Sequence, residues 1–287
     1  MQSKLKILVT GANGYIGRHV VEQLSKIGHE IIACDIRVEK LLKNVKYIES
    51  NIFSCNYENL FQELGSPDVC LHMAWRDGFV HNSNNHILDL SSHFRFIQAM
   101  VDGGVKRIAV MGTMHEVGYW EGAIDDNTPC NPISLYGIAK DALRRATINY
   151  CKLKQCKLQW LRAFYILGDD KRNNSIFSKL LQAAESGLTN FPFTTGKTQY
   201  DFISVDDLSF QIACAISQED ILGIINCCSG KPISLADRVE QFIKDKKLNI
   251  KLEYGVYPDR PYDSPIIYGD ASKINQIVES KINVNKF

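Results

Sequence analysis

From residue 4 onward, short apolar runs alternate with stretches whose apolar residues recur every three or four positions. KLKILVT (4–10), HEIIACD (29–35), VKYIES (45–50), DVCLHMA (68–74) and KRIAVMG (106–112) are runs of strand length. HVVEQLSKI (19–27) and ILDLSSHFRFIQAMV (87–101) carry helical periodicity, as does LYGIAKDALRRATINYCK (135–152), which precedes the strand-like LQWLRAFYI (158–166). Buried strands separated by amphipathic helices predict an α/β fold, a Rossmann-type doubly wound parallel sheet with helices on both faces.

The pattern loosens after residue 167. GDDKRNNS (168–175) is polar and loop-like, DFISVDDLSFQIACAIS (201–217) reads as a strand running into a helix, and PDRPYDSP (258–265) holds too many prolines for regular structure. The expected division is a sheet domain over 1–167, with segments near 201–228 returning to it. Residues 168–287 then form mainly a smaller α/β region over the carboxyl ends of the strands, where open α/β sheets bind ligands.

Composition narrows the classes. With 45% hydrophobic residues, 23% charged and a net charge of +1, the chain lacks the electrostatic footprint of a nucleic-acid binder. No apolar window reaches the length of a membrane span, and MQSKLKILVTG has no signal-peptide pattern, so the expected location is the cytoplasm. Nine cysteines without CxxC pairs predict free thiols and no metal site.

The first chemical signal is VTGANGYIGRHV (9–20), with glycines at 11, 14 and 17 where a strand gives way to a helix. Glycine costs a helix about 1 kcal/mol relative to alanine, so the missing side chains serve something else. Backbone N–H groups at a helix N-terminus, reached over bare glycine, make a phosphate site. Asp35, ending the second strand in CDIR, stands where a carboxylate meets an adenosine ribose diol and favours NAD. Arg37 and Arg18 offer charge for a 2′-phosphate, which leaves NADP open. The second signal is SLYGIAK, where Tyr136 and Lys140 lie four residues apart on one helix face. A phenol near pKa 10 needs a neighbouring cation to act at neutral pH. Thr113 leaves the fifth strand in VMGTMHEVG, where its hydroxyl can share a substrate oxygen with Tyr136.

With TGANGYIG, Thr113 and YGIAK in this order, the sequence resembles the extended short-chain dehydrogenase/reductase family, in its sugar-nucleotide epimerase/dehydratase branch. DVCLHMAW, LRAFYILG, YDFISVDDLS, INCCSGKPISL and DRPYDSPIIYGDASKI extend the resemblance nearly end to end. It implies NAD(H) or NADP(H) as cofactor and a nucleoside-diphosphate sugar as substrate. Thr113, Tyr136 and Lys140 are the implied catalytic residues. Gly11, Asn13, Gly14, Tyr15, Ile16, Gly17, Asp35, Ile36, Arg37, Asn51, Ile52, Met73, Ala74 and Trp75 join Tyr136 and Lys140 around the cofactor. Arg76, Thr113, His115, Tyr165, Asn174 and Arg260 face the substrate, with His81 near the same cleft. It also implies a homodimer through helices 87–101 and 135–152. Tyr200 and Tyr165 depart from the arginine and asparagine that the family carries at these positions.

Thr113 is followed by Met114 and His115, not by the Asp-Glu pair of the family's sugar dehydratases, which argues against dehydration. The stretch GTMHEVGYWEG…NTPCNPISLYGIAK resembles the deoxysugar 4-ketoreductases of surface-polysaccharide (O-antigen) synthesis, which implies NAD(P)H-dependent reduction of the C4 keto group of a nucleoside-diphosphate 4-keto-6-deoxyhexose, dTDP-linked. A nucleotide-sugar 4-epimerase is the alternative. A non-catalytic NAD(P)-binding regulatory protein is the second.

Overall fold

A computed structural model describes residues 4–40, 42–167, 175–259 and 263–284. Strand β1 (Lys6–Thr10) leads through the glycine turn into α1 (Gly17–Ile27), followed by β2 (Glu30–Asp35), β3 (Val45–Glu49), the short α2 (Leu60–Glu63) and β4 (Val69–His72). Helices α3 (Asn85–Leu88) and α4 (Leu90–Asp102) precede β5 (Arg107–Thr113), then come a 3-10 turn at Met114–Glu116, β6 (Gly122–Ile124), α5 (Leu135–Lys154) and β7 (Lys157–Ala163). The remaining elements are β8 (Tyr165–Leu167), α6 (Ile176–Glu185), β9 (Asn190–Pro192), β10 (Gln199–Ser204), α7 (Val205–Ile216), β11 (Gly223–Cys227), β12 (Pro232–Ser234), α8 (Leu235–Asp245), β13 (Lys251–Glu253), β14 (Ile266–Gly269) and α9 (Ser272–Val284).

Seven parallel strands form the main sheet in the order β11-β7-β5-β4-β1-β2-β3. Its strands are nearly continuous apolar runs because helices cover both faces. One layer packs Val20, Val21 and Leu24 of α1 with Leu208 and Ile212 of α7 against the sheet, and the other packs Phe96, Ile97 and Met100 of α4 with Leu143 of α5. Strand order reverses between β1 and β4, and a crevice opens there at the carboxyl ends of the strands.

A second sheet, β12-β10-β14-β6 with β8 beside β10, stands over that end. The run 158–166, expected as one strand, breaks at Phe164: β7 stays in the main sheet and β8 crosses to β10. The helix expected over 87–101 is likewise two, because the chain turns at Asp89 between α3 and α4. All nine cysteines are free thiols.

Candidate active site

The glycine turn is held together by contacts no side chain would permit. Gly11 has φ +69°, and a Cβ there would lie 2.7 Å from the Ala74 nitrogen; a Cβ on Gly17 would lie 2.0 Å from the Gly11 carbonyl oxygen. Helix α1 starts without a side-chain cap at Ile16 and without an acidic residue in its first turn, which leaves its N-terminal end to an anion. Asp35 closes the far side: its carboxylate accepts from the Asn13 N–H at 2.9 Å and the Ile36 N–H at 2.8 Å. A cavity of about 220 Å³ opens beside it, lined by Asn13, Arg18, Val38, Leu42 and Tyr47 among others. These residues fit a dinucleotide, with the bare turn under a pyrophosphate and Asp35 within reach of a ribose diol.

Other residues expected around the cofactor divide. Met73 and Ala74 follow β4, their N–H groups donate to Thr10 Oγ1 at 3.2 and 3.3 Å, and their backbone lies against Gly11 of the glycine turn. Asn51 is exposed and turns its side-chain oxygen onto the Phe53 N–H at 3.1 Å. Ile52 is 4% exposed and packs in the core. The Arg18 guanidinium stands over Tyr15, and Ile36 and Arg37 are exposed.

Beneath Trp75 runs a chain of histidines. Thr10 Oγ1 accepts two backbone N–H bonds, so its own hydroxyl donates to His72 Nδ1 at 2.8 Å, and His72 Nε2 donates to His93 Nδ1 at 2.9 Å. The network assigns both rings as neutral, and burial pushes His72 down to about 3 and His93 well below the ordinary histidine range. The Trp75 ring stacks on His93 at 4.2 Å and its indole N–H donates to His86.

Thr113, Tyr136 and Lys140 meet above β4 and β5. Thr113 ends β5, and its side chain lies on the side of the Tyr136 hydroxyl. Lys140 is 3% exposed, donates to the Met111 carbonyl at 2.7 Å and lies 3.8 Å from the centre of the Trp75 ring. Burial pushes the Lys140 ammonium down to about 7 and the Tyr136 phenol up to about 12, the Thr113 side chain opposing the latter. Ser134 caps α5, the Tyr136 N–H donates to the His81 carbonyl at 2.8 Å, and the Leu135 N–H to Asn82 Oδ1 at 3.2 Å. The loop after β4 thereby pins the helix turn that carries the tyrosine.

Rings continue from Tyr136 into the second sheet. His81 stacks on Tyr136 at 5.5 Å and meets His115 at 4.5 Å; His115 meets Tyr165 at 6.1 Å, and Tyr165 meets Tyr200 at 4.3 Å. The two tyrosines that depart from the family pattern therefore touch each other. Burial pushes His115 down to about 3, which keeps it neutral. Arg76 is not brought to this group: it is exposed and pairs with Asp89. Asn174 and Arg260 lie outside the described residues. A larger cavity of about 710 Å³, lined by Phe202, Phe210, Lys231 and Arg238 among others, includes none of the three central residues.

The profile of the NAD dependent epimerase/dehydratase family matches residues 7–228, most of the chain. The chain belongs to that family. A curated relative, the dTDP-6-deoxy-L-talose 4-dehydrogenase (NAD(+)) of Aggregatibacter actinomycetemcomitans, is 44% identical over 92% of this chain and 99% of its own length. Two solved structures share the fold. MoeE5 in complex with UDP-glucuronic acid and NAD has a TM-score of 0.81 at 23% identity, over 96% of this chain and 92% of its own. The UDP-N-acetylglucosamine 4-epimerase of Methanobrevibacter ruminantium M1 has a TM-score of 0.83 at 17% identity, with the same coverage.

The sequence reading missed Glu116, a fully buried carboxylate under Thr113, together with its partners Trp160 and Arg144. A signal for it was present: Thr113-Met-His-Glu116 has the spacing of a capping box, and the structure forms one. Among the described residues there is no group of three metal-ligating side chains and no helix long and apolar enough to cross a membrane.

Proposed function

We propose that this protein is an NAD(H)-dependent oxidoreductase acting at C4 of a dTDP-linked 6-deoxyhexose. It interconverts a 4-hydroxyl sugar of the dTDP-6-deoxy-L-talose kind and its 4-keto form. One observation carries the reading: Thr113, Tyr136 and Lys140 meet beside the glycine crevice in a chain so similar to a 4-dehydrogenase of that sugar. The reduction expected from sequence and the oxidation in the relative's name are two directions of one reaction. The cofactor and sugar pools set the net flow.

The glycine turn and Asp35 would hold the dinucleotide, and Lys140 would reach its nicotinamide ribose. Bound NAD supplies the hydride acceptor at sugar C4, and NADH the donor. Tyr136 takes the C4 hydroxyl proton in oxidation and returns it in reduction, while Thr113 Oγ1 holds the same oxygen. Lys140, one turn along α5, is the cation that favours the phenolate. Asp35 supports NAD over NADP, because a carboxylate repels a 2′-phosphate. His81, His115, Tyr165 and Tyr200 line the way to the sugar. Residues 1–167, with α7 and β11, form the cofactor-binding unit and the rest the substrate region. A homodimer through the α3–α4 segment and α5 is consistent with exposed Ile87 and Leu88 of α3 and Ile138 and Ile148 of α5.

Absorbance at 340 nm tests the reading with dTDP-6-deoxy-L-talose and NAD⁺, and in reverse with its 4-keto form and NADH. The expected result is turnover in both directions. Tyr136→Phe should lower it by about 10²-fold or more. C4 inversion by protein carrying stoichiometric NAD, without exchange of NADH into solution, would replace this reading with the epimerase.

A further inference from the structure

Glu116 is 0% exposed, and its hydrogen-bond and ion-pair partners among the described residues are all donors. Its Oε1 accepts from the Thr113 backbone N–H at 2.7 Å and from the Trp160 indole N–H at 2.8 Å. Its Oε2 faces the guanidiniums of Arg144 at 3.4 Å and Arg162 at 3.6 Å. Such a shell has no acceptor for a carboxylic acid proton, so the ionised form fits it. Burial pushes this carboxyl up, and the guanidiniums and N–H donors oppose that. A buried carboxylate is costly compared with a well-packed apolar residue, and its presence beside a reactive centre calls for a role.

The surroundings are built for it. A Cβ on Gly112 would fall 2.2 Å from Trp160 Nε1 and 2.6 Å from Glu116 Oε1, so the glycine keeps that bond clear. Asp141 grips Arg144 from the next turn of α5, and Cys130 bonds the same guanidinium. The turn 114–116 then packs on α5 where Gly137 follows Tyr136; a Cβ there would lie 2.4 Å from the His115 carbonyl oxygen. Glu116 thus fixes the direction in which β5 delivers Thr113 to the tyrosine. It also sets a negative charge near Lys140, because the two side chains bond the same stretch of β5, Lys140 at the Met111 carbonyl and Glu116 at the Thr113 N–H two residues on.

We propose that Glu116 is a positioning residue for the reaction, locking Thr113 against Tyr136 and holding the charge of Lys140 from beneath the site. This rests on the triad reading above. The groups facing Lys140 are Glu116 from the turn after β5, His72 and His93 from β4 and α4, and Tyr136 from its own helix. Those facing Glu116 are Arg144, Lys140 and Tyr136 from α5, Arg162 from β7 and the Cys130 thiol from the loop before α5.

The experiment follows the Lys140 side chain by ¹³Cε NMR through a pH titration of the cofactor-free protein, the signal assigned with Lys140→Arg. The wild-type midpoint is expected at about 7. Glu116→Gln keeps the shape and removes the charge, and should lower the midpoint by about half a unit or more. It should also lower kcat by roughly tenfold with KM for NAD⁺ little changed. Trp160→Phe keeps the charge and removes one donor: kcat should fall about threefold or more while the midpoint stays. A folded Glu116→Gln that titrates as wild type overturns the proposal. Should Glu116→Gln not fold, Trp160→Phe with unchanged kcat overturns it. Absence of wild-type turnover would instead count against the proposed reaction, and the titration would still decide the role of Glu116.

Discussion

Lys140 Nζ stands over the Trp75 ring, 3.8 Å from its centre, while its proton is donated to the Met111 carbonyl. The ring face is the electron-rich side, so it favours the ammonium that burial disfavours. Such a contact is worth about 0.5–2 kcal/mol. Trp75→Leu should therefore lower kcat at saturating NAD⁺ by roughly 3- to 30-fold, and Trp75→Phe by less. Steady-state kinetics read this directly, and a Trp75→Leu enzyme within twofold of wild type refutes it.

Asp35 holds the Asn13 and Ile36 N–H groups and is the carboxylate nearest the expected ribose. Removing a charged acceptor costs about 1.5–3 kcal/mol. Asp35→Ala should weaken NAD⁺ binding about tenfold or more, with a smaller loss for NADP⁺. Titration calorimetry with both nucleotides checks it; an unchanged NAD⁺/NADP⁺ ratio would show that Asp35 does not set the preference.

His72 and His93 are 2% and 1% exposed and neutral in the fold, each protonating below its ordinary range. The unfolded chain then binds more protons than the native one below pH ~6.5. Their stabilisation is complete above that pH and is lost as pH falls, for His72 down to about 3, at up to about 1.4 kcal/mol per pH unit for each ring. Chemical denaturation between pH 7 and 4.5 should show a steep fall, shallower in His93→Leu. A flat profile would mean that the pair is protonated in the native state.

Gly17→Ala separates two opposite expectations. Helix propensity alone favours alanine by about 1 kcal/mol. A Cβ 2.0 Å from the Gly11 carbonyl oxygen overrides that and distorts the cradle. The melting temperature should fall and NAD⁺ binding should be lost. A rise in melting temperature would show that the turn gives way freely.

The main sheet was legible because its strands are buried on both faces and its helices are amphipathic, so position along the chain and position in space agree. Gly11, Gly17, Asp35, Tyr136 and Lys140 stood out for the same reason: each has local spacing that announces its job. The break at Phe164 did not, since a strand that changes sheets keeps its apolar pattern throughout. Glu116 carried its spacing to Thr113, but its worth depends on Trp160, Arg144 and Arg162, which arrive from other elements. The contact of Tyr165 with Tyr200 is equally invisible along the chain, where each reads as an isolated departure.

The sheet over the cleft joins residues far apart in the chain: Gly122 of β6 pairs with Ile267 of β14, beside β8 and β10. Contacts this distant form slowly, because loop closure precedes any gain from pairing. During synthesis the main sheet has all its strands once β11 emerges, while the second sheet still lacks β12 and β14. A nascent chain can thus complete the sheet that carries the glycine turn well before the second sheet above it can form.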